Sequence, residues 1–286
     1  RPDGSLERVL TVFLAGAECP FACVFCDLWR YTVPHPTPPG ALVRQLDLAL
    51  RDAPRAERVK LYNAGNFFDR RAVPPEDLEA LAERVAGFAG VTVECHPRLV
   101  GPSALAWAER LGGRLEVALG LETVHPGALA ALNKKVGVDD FDRAAERLRA
   151  ADVDVRAFVL LGTPGVPEPE RLEWTLRSVE HAARAGARLV AINPVRPGNG
   201  ALERLAAEGR FRPPDLLELE TALEQALARV AGLPTVVVAD LWEARGFAAC
   251  AACADARLER LERMNLEGRA PAPVACTACG RCEAER

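Results

Sequence analysis

Seven short apolar runs, each followed by polar or glycine-bearing residues, constrain this chain more than any other feature. They are RVLTVFLAG (8–16), RVKLYNAG (58–65), VTVECHP (91–97), LEVALGLET (115–123), VDVRAFVLLG (153–162), RLVAINPV (188–195) and a candidate seventh, LPTVVVAD (233–240). Runs of this length and composition read as strands. Between them lie stretches of helical period, among them PEDLEALAERVAGFA, GPSALAWAERLGG, DDFDRAAERLRAADV and PERLEWTLRSVEHAARAG. Strands alternating with helices build a parallel sheet. The expected fold is α/β, a partial (β/α)6-type TIM barrel over residues 1–240 with a small cysteine-rich extension over 241–286. In such folds chemistry gathers at the carboxyl ends of the strands. The segments AECPFAC, NAGNFFD, ECHPR, GLETVHPG, GTPGVP and NPVRPGNG are therefore expected to ring one mouth.

A chain of 286 residues can bury a sizeable core, which permits an enzyme. The net charge of −4 does not support nucleic acid as the main partner, because phosphate-binding surfaces carry an excess of Lys and Arg. The apolar runs are far shorter than the ~20 residues of a membrane-spanning helix, and no signal-peptide pattern precedes the first strand. No membrane partner and a cytoplasmic location are expected. In that compartment the nine cysteines favour metal ligation over disulfides. Eight fall into two groups, Cys19, Cys23 and Cys26 near one end, and Cys250, Cys253, Cys276, Cys279 and Cys282 near the other; Cys95 stands alone and reads as a buried barrel residue.

The first group, C-x3-C-x2-C on one loop, offers three thiolates to a four-cornered iron–sulfur cluster and leaves one corner open. A zinc site completed by a distant ligand, or cysteines that are merely neighbours, would use the same residues. The tail group, CAAC and CTACGRC, reads either as a second iron–sulfur cluster or as zinc, the gap between its pairs being somewhat longer than in the usual zinc ribbon. One helix, DARLERLERMN, lies inside the tail, which is too short for a core of its own and needs a metal or docking to be ordered. His96 and His125 sit on mouth segments, as substrate contacts, acid–base groups or plain loop residues.

CPFACVFC at the end of a first barrel strand resembles the signature of the radical S-adenosylmethionine (SAM) superfamily. The resemblance implies a [4Fe-4S] cluster on Cys19, Cys23 and Cys26 whose free iron takes the methionine part of SAM. It also implies reductive cleavage of a carbon–sulfur bond, and an electron donor such as flavodoxin or ferredoxin. Asn63, Ala64, Gly65 and Asn66 match the Gly-rich segment that meets the SAM amino group, although the usual acidic residue is missing there. Glu94 and Glu122, ending the third and fourth strands, are expected at ribose hydroxyls or the amino group. Arg156 reads either as a contact to the SAM carboxylate or as an edge residue. The segments GTPGV and INPVRPGNG are expected near adenine and substrate. YNAGNFFD, ECHPR, ALGLETVHPGALAALNKK and INPVRPGNG are most similar to the branch holding the elongator acetyltransferase subunit and the radical SAM subunit of archaeosine synthase, whose members act on tRNA. The substrate is expected to be a tRNA nucleoside or a small metabolite. Two alternatives stand beside this reading: a sulfur-inserting, methylthiotransferase-type enzyme using the tail cluster, and a non-enzymatic zinc-binding interaction module.

Overall fold

The computed structural model describes Arg1 and residues 3–280. Each apolar run becomes a strand: β1 (Val9–Phe13), β2 (Arg58–Tyr62), β3 (Gly90–Cys95), β4 (Leu115–Glu122), β5 (Asp154–Leu161), β6 (Leu189–Pro194) and β7 (Val236–Ala239). They form one sheet in chain order, and the registers are parallel, as in Leu10↔Val59, Val59↔Val91, Val93↔Val117 and Val190↔Val237. Consecutive parallel order is the winding of the (β/α)-barrel class, and the candidate seventh run adds one strand to the expected six.

The connections contain α1 (Ala41–Arg51), α2 (Asp77–Arg84), α3 (Pro102–Arg110), α4 (Pro126–Ala131), α5 (Val138–Arg149), α6 (Arg171–Arg184), α7 (Ala201–Ala207) and α8 (Leu216–Arg229), and α9 (Ala254–Glu267) follows β7. Of these, α2, α3, α5, α6 and α9 coincide with the helical stretches read from sequence. Helix α8 has a full capping box that the sequence displays as D-x-x-E: the Asp215 carboxylate accepts from the Glu218 N–H at 2.9 Å, and the Asp215 N–H donates to Glu218 Oε2 at 2.8 Å.

The chain packs as two compact units. One comprises Leu6–Gly120 and Asn133–Arg156; the other comprises Arg1–Ser5, Leu121–Leu132 and Ala157–Arg286. In the first, Val59, Leu61, Val91, Val93, Val117 and Leu119 are fully buried, and Trp107 packs on Phe67 with ring centroids 4.8 Å apart. The indole N–H donates to the Leu78 carbonyl at 2.8 Å, so the polar end of that large apolar group keeps its partner. In the second unit, α6 and α8 cover β6, and α9 packs on α8 and β7. Gly162 holds the turn after β5: its φ is +80°, and a side chain there would meet Pro214 Cδ at 2.9 Å.

A polar ladder runs through the first unit. Glu116 on β4 is fully buried and accepts from Arg156 Nε at 2.9 Å and from Thr92 Oγ1 at 3.0 Å. Arg58 Nε donates to Glu7 at 3.0 Å and its Nη1 to Thr92 at 3.4 Å. Burial, with the Arg156 charge adding to it, lowers Lys60 to about 8. Removing one member of a buried ion pair leaves the other uncompensated. Glu116→Ala is expected to lower unfolding stability by about 3–5 kcal/mol. The pair of changes Glu116→Leu and Arg156→Met should recover most of that loss, as read from urea midpoints.

Candidate active site

The three-cysteine loop is closed before any metal is considered. Ala17 and Val33 form a parallel bridge, with Val33 N–H donating to Gly16 O at 2.9 Å and Glu18 N–H to Val33 O at 3.0 Å. Thr37 Oγ1, buried behind the loop, accepts from Ala17 N–H at 2.8 Å and donates to the Ala72 carbonyl at 2.8 Å. Gly16 leaves no room for a side chain, since a Cβ would stand 2.9 Å from Ala72 O. On the far side of the loop, Asn133 Nδ2 donates to Ala22 O at 2.8 Å.

Cys19, Cys23 and Cys26 are half-buried, and the Cys26 N–H turns back onto Cys23 O at 3.2 Å. Burial pushes the Cys19 thiol up, opposed by N–H donation from Phe21 and Asn66. Asn66 Nδ2 lies 3.1 Å from Cys19 Sγ, and its Oδ1 accepts from the His96 N–H at 2.7 Å. Phe21, the aromatic inside CPFAC, stacks on the His96 ring at 3.8 Å between centroids and 10° between planes.

His96 is fixed as a neutral ring. Its Nδ1 accepts from the Arg98 N–H at 3.2 Å, which leaves Nε2 as the donor to Lys134 O at 2.9 Å. Burial first, then the Lys134 charge, lowers it to about 4. His125 likewise accepts, from the Ala128 N–H at 3.1 Å, as the cap of α4. Both mouth histidines thus act as structural caps in the chain itself. Neither Phe21 nor Thr37 was identified as a site residue from sequence. The aromatic within the cysteine motif was a visible signal for the first, whereas a threonine joining segments 35 residues apart carries none.

Asn63, Ala64, Gly65 and Asn66 follow β2 directly. Asn63 is fully buried, and neither its Oδ1 nor its Nδ2 has a hydrogen-bond partner. Ala64 adopts φ +53°. Glu94 is the penultimate residue of β3, and its carbonyl accepts from Phe67 N–H at 2.8 Å, tying β3 to the segment after β2. Arg156 belongs to the same unit, with its guanidinium on Glu116. Glu122 lies in the other unit, 4 % exposed, in a left-handed conformation (φ +65°) closed by the Thr123 N–H donating to Leu121 O at 2.9 Å. Such strain in a non-glycine residue persists where its surroundings impose it, and it concentrates at functional positions. Cys95 is buried, its thiol pushed up to about 12 by burial. In the tail, Cys250, Cys253, Cys276 and Cys279 bring their sulfurs within 4.8 Å of one another; Cys282 lies outside the described residues. Among the described residues no helix is long and apolar enough to cross a membrane.

Residues 15–179, more than half of the chain, match the Radical SAM superfamily. The chain belongs to the radical SAM superfamily. It is an enzyme of that class, and the family brings with it a [4Fe-4S] cluster and SAM. Over 245 residues the chain is 29% identical to archaeosine synthase subunit beta of Methanosarcina acetivorans, covering 81% of this chain and 70% of that one. An uncharacterized protein of Methanocaldococcus jannaschii is 21% identical over 239 residues, 78% of this chain and 66% of the other. Among solved structures, Streptococcus suis SuiB superposes with TM-score 0.60 at 14% identity over 82% of this chain, which spans half of that protein. Elp3 of Methanocaldococcus infernus superposes with TM-score 0.57 at 15% identity over 92% of this chain and 64% of its own. These two likenesses concern the fold.

Hydrogen bonds to cluster sulfurs help set reduction potential. If Cys19, Cys23 and Cys26 hold the family's cluster, Asn66→Ala should retain less iron after anaerobic reconstitution and shift its midpoint to more negative values in a redox titration; an unchanged midpoint would remove Asn66 from the cluster's surroundings. His96 generates a pH dependence. Its folded value of about 4 lies below the ordinary 6.5, so the unfolded chain binds more protons between them. Stability should be full above pH 6.5 and decline as pH falls toward 4. His96→Gln should flatten that decline in urea titrations of the metal-free protein.

Proposed function

We propose that Cys19, Cys23 and Cys26 hold a [4Fe-4S] cluster, that residues 63–66 receive SAM beside it, and that the chain modifies a nucleoside in tRNA. The observation that carries the cofactor reading is the orphaned amide of Asn63. A buried amide with no partner costs stability of about 1–3 kcal/mol. It belongs to the segment that matches the family's SAM-binding stretch and that reaches the cysteine loop through Asn66, and there a ligand's amino and carboxylate groups would supply the missing donor and acceptor. When bound, the cluster supplies the single electron that cleaves the sulfonium of SAM.

The chain's own residues set the conditions for that chemistry. Asn66 orients Cys19 through its N–H···S contact and holds the His96 backbone at the same time. Phe21 on the His96 ring covers one side of the loop with apolar surface, which shields the site from water. Arg156 and Glu94 remain the proposed contacts to the SAM carboxylate and ribose, and Glu122 the second carboxylate. For Arg156 this contact would be made while it is held by Glu116.

The tRNA part rests on the likeness to archaeosine synthase subunit beta across most of both chains. With a net charge of −4 this chain offers little to phosphates, and the relative is named as one subunit of its enzyme. A partner subunit that carries the RNA therefore belongs to the proposal, as do a flavodoxin or ferredoxin as electron source and a cytoplasmic location.

Anaerobic protein given SAM and a strong reductant is expected to release 5′-deoxyadenosine and methionine, detected by chromatography and mass spectrometry. Methylthioadenosine in their place would show that a different carbon–sulfur bond breaks. Cys19→Ala, Cys23→Ala and Cys26→Ala should each abolish the release. Gly65→Ala separates ligand from fold: an added Cβ would meet nothing in the chain nearer than 3.7 Å. The variant should keep its stability while losing about tenfold or more in SAM affinity, a cost of about 1.4 kcal/mol. Unchanged affinity would move the SAM site away from residues 63–66.

A further inference from the structure

We infer that the tail cysteines bind a single tetrahedral zinc ion that staples α9 to its own unit, and not a second iron–sulfur cluster. The spacing of the sulfurs decides between the two. Four thiolates on one zinc ion, each about 2.3 Å from it, stand about 3.8 Å apart. Four thiolates on a cubane each take a different iron and are splayed to separations on the order of 6 Å. The sulfurs of Cys250, Cys253, Cys276 and Cys279 all lie within 4.8 Å of one another, with Cys250 and Cys276 at 4.0 Å. That is room for one ion. The three cysteines of the first loop are not drawn into such a group among the described residues.

The surroundings complete the site as a zinc-thiolate centre requires. Arg257 Nε donates to Cys253 Sγ at 3.3 Å, and its Nη1 is paired with Glu220, a fully buried carboxylate on α8. A thiolate held by a donor that is itself oriented by a carboxylate is the arrangement that fixes metal ligands. Arg260, one turn further along α9, pairs with Glu224 at 2.7 Å and donates to the Pro271 and Ala272 carbonyls at 2.9 and 3.1 Å. It thereby directs the returning chain toward Cys276. Cys253 immediately precedes α9, whose N-terminus favours a thiolate's negative charge.

Four thiolates close the coordination sphere, leaving no position for substrate. Zinc has no redox chemistry, so this centre neither relays an electron nor supplies sulfide. A sulfur-inserting role for the tail falls with it. Its work is mechanical: one pair of ligands precedes α9 and the other follows it, so the ion holds both ends of the α9 segment against α8 and β7.

The test uses the full chain, purified anaerobically, with zinc, iron and sulfide measured together. The variant lacking Cys19, Cys23 and Cys26 leaves the tail intact and is expected to hold about one zinc per chain with iron and sulfide at background. Iron and sulfide persisting in that variant, or a folded variant with no metal, would overturn the inference. Zinc-stripped protein of the same variant should take up cobalt(II) with the visible absorption of a tetrahedral thiolate site, displaced by added zinc; an octahedral spectrum counts against it. Cys276→Ser with Cys279→Ser should lose zinc and keep the iron of the first loop, whereas Cys282→Ser should keep its zinc. Arg257→Gln should weaken zinc retention about 10–100-fold in chelator competition, and equal retention would remove Arg257 from the site. The inference stands apart from the proposed function: zinc in the tail with no SAM cleavage would refute only the latter, and SAM cleavage with iron and sulfide in the tail only the former.

Discussion

The amide of Asn66 is the joint on which the candidate active site depends. One end accepts the His96 backbone N–H and the other donates to Cys19 Sγ, so a single planar group sets the distance between the loop after β3 and the cysteine loop after β1. His96, held in one tautomer by Arg98 and Lys134, then offers a flat face to Phe21. Aromatic stacking and hydrogen bonding thus fix the same loop from two directions. Neither contact is strong alone, at about 1 kcal/mol each, but each restricts the geometry that the other needs. A cysteine on a turn, of low intrinsic rigidity, is made rigid by its neighbours.

A second constraint in the same unit is the ladder of Glu116, Arg156, Thr92 and Arg58. Strands of a (β/α) barrel are usually filled with branched apolar residues. Here a buried carboxylate and guanidinium replace some of that filling, and the replacement holds only because each charge meets the other and a hydroxyl completes the set. Arg156 is therefore presented in one orientation, on a strand whose other residues are apolar and mostly buried.

Much of the fold was legible because its signals are local. Seven apolar runs bounded by glycine and polar residues mark seven strands whatever their partners, and the three-cysteine motif at the end of the first of them points to the family. Helix α8 carried a legible D-x-x-E cap at Asp215 and Glu218, yet the string PPDLLELE reads equally as a loop leaving the sixth strand. The supports of the candidate site were not legible. Thr37, Asn133 and His96 act across tens of residues, and nothing in their immediate sequence announces the partner. Arg156 could be read two ways until its carboxylate, 40 residues upstream, was in place. The tail is a further case: cysteine count and spacing admit iron–sulfur or zinc, and only the distances between sulfurs divide them.

The backbone closure at Ala17 and Val33 bears on the order in which such a loop is built. Here the loop's two ends are sewn together by main-chain hydrogen bonds and by Thr37, independently of any thiolate. The spacing of the loop's ends is thus set by the main chain, and whatever the three thiolates take up is received by a loop whose entry and exit are already placed.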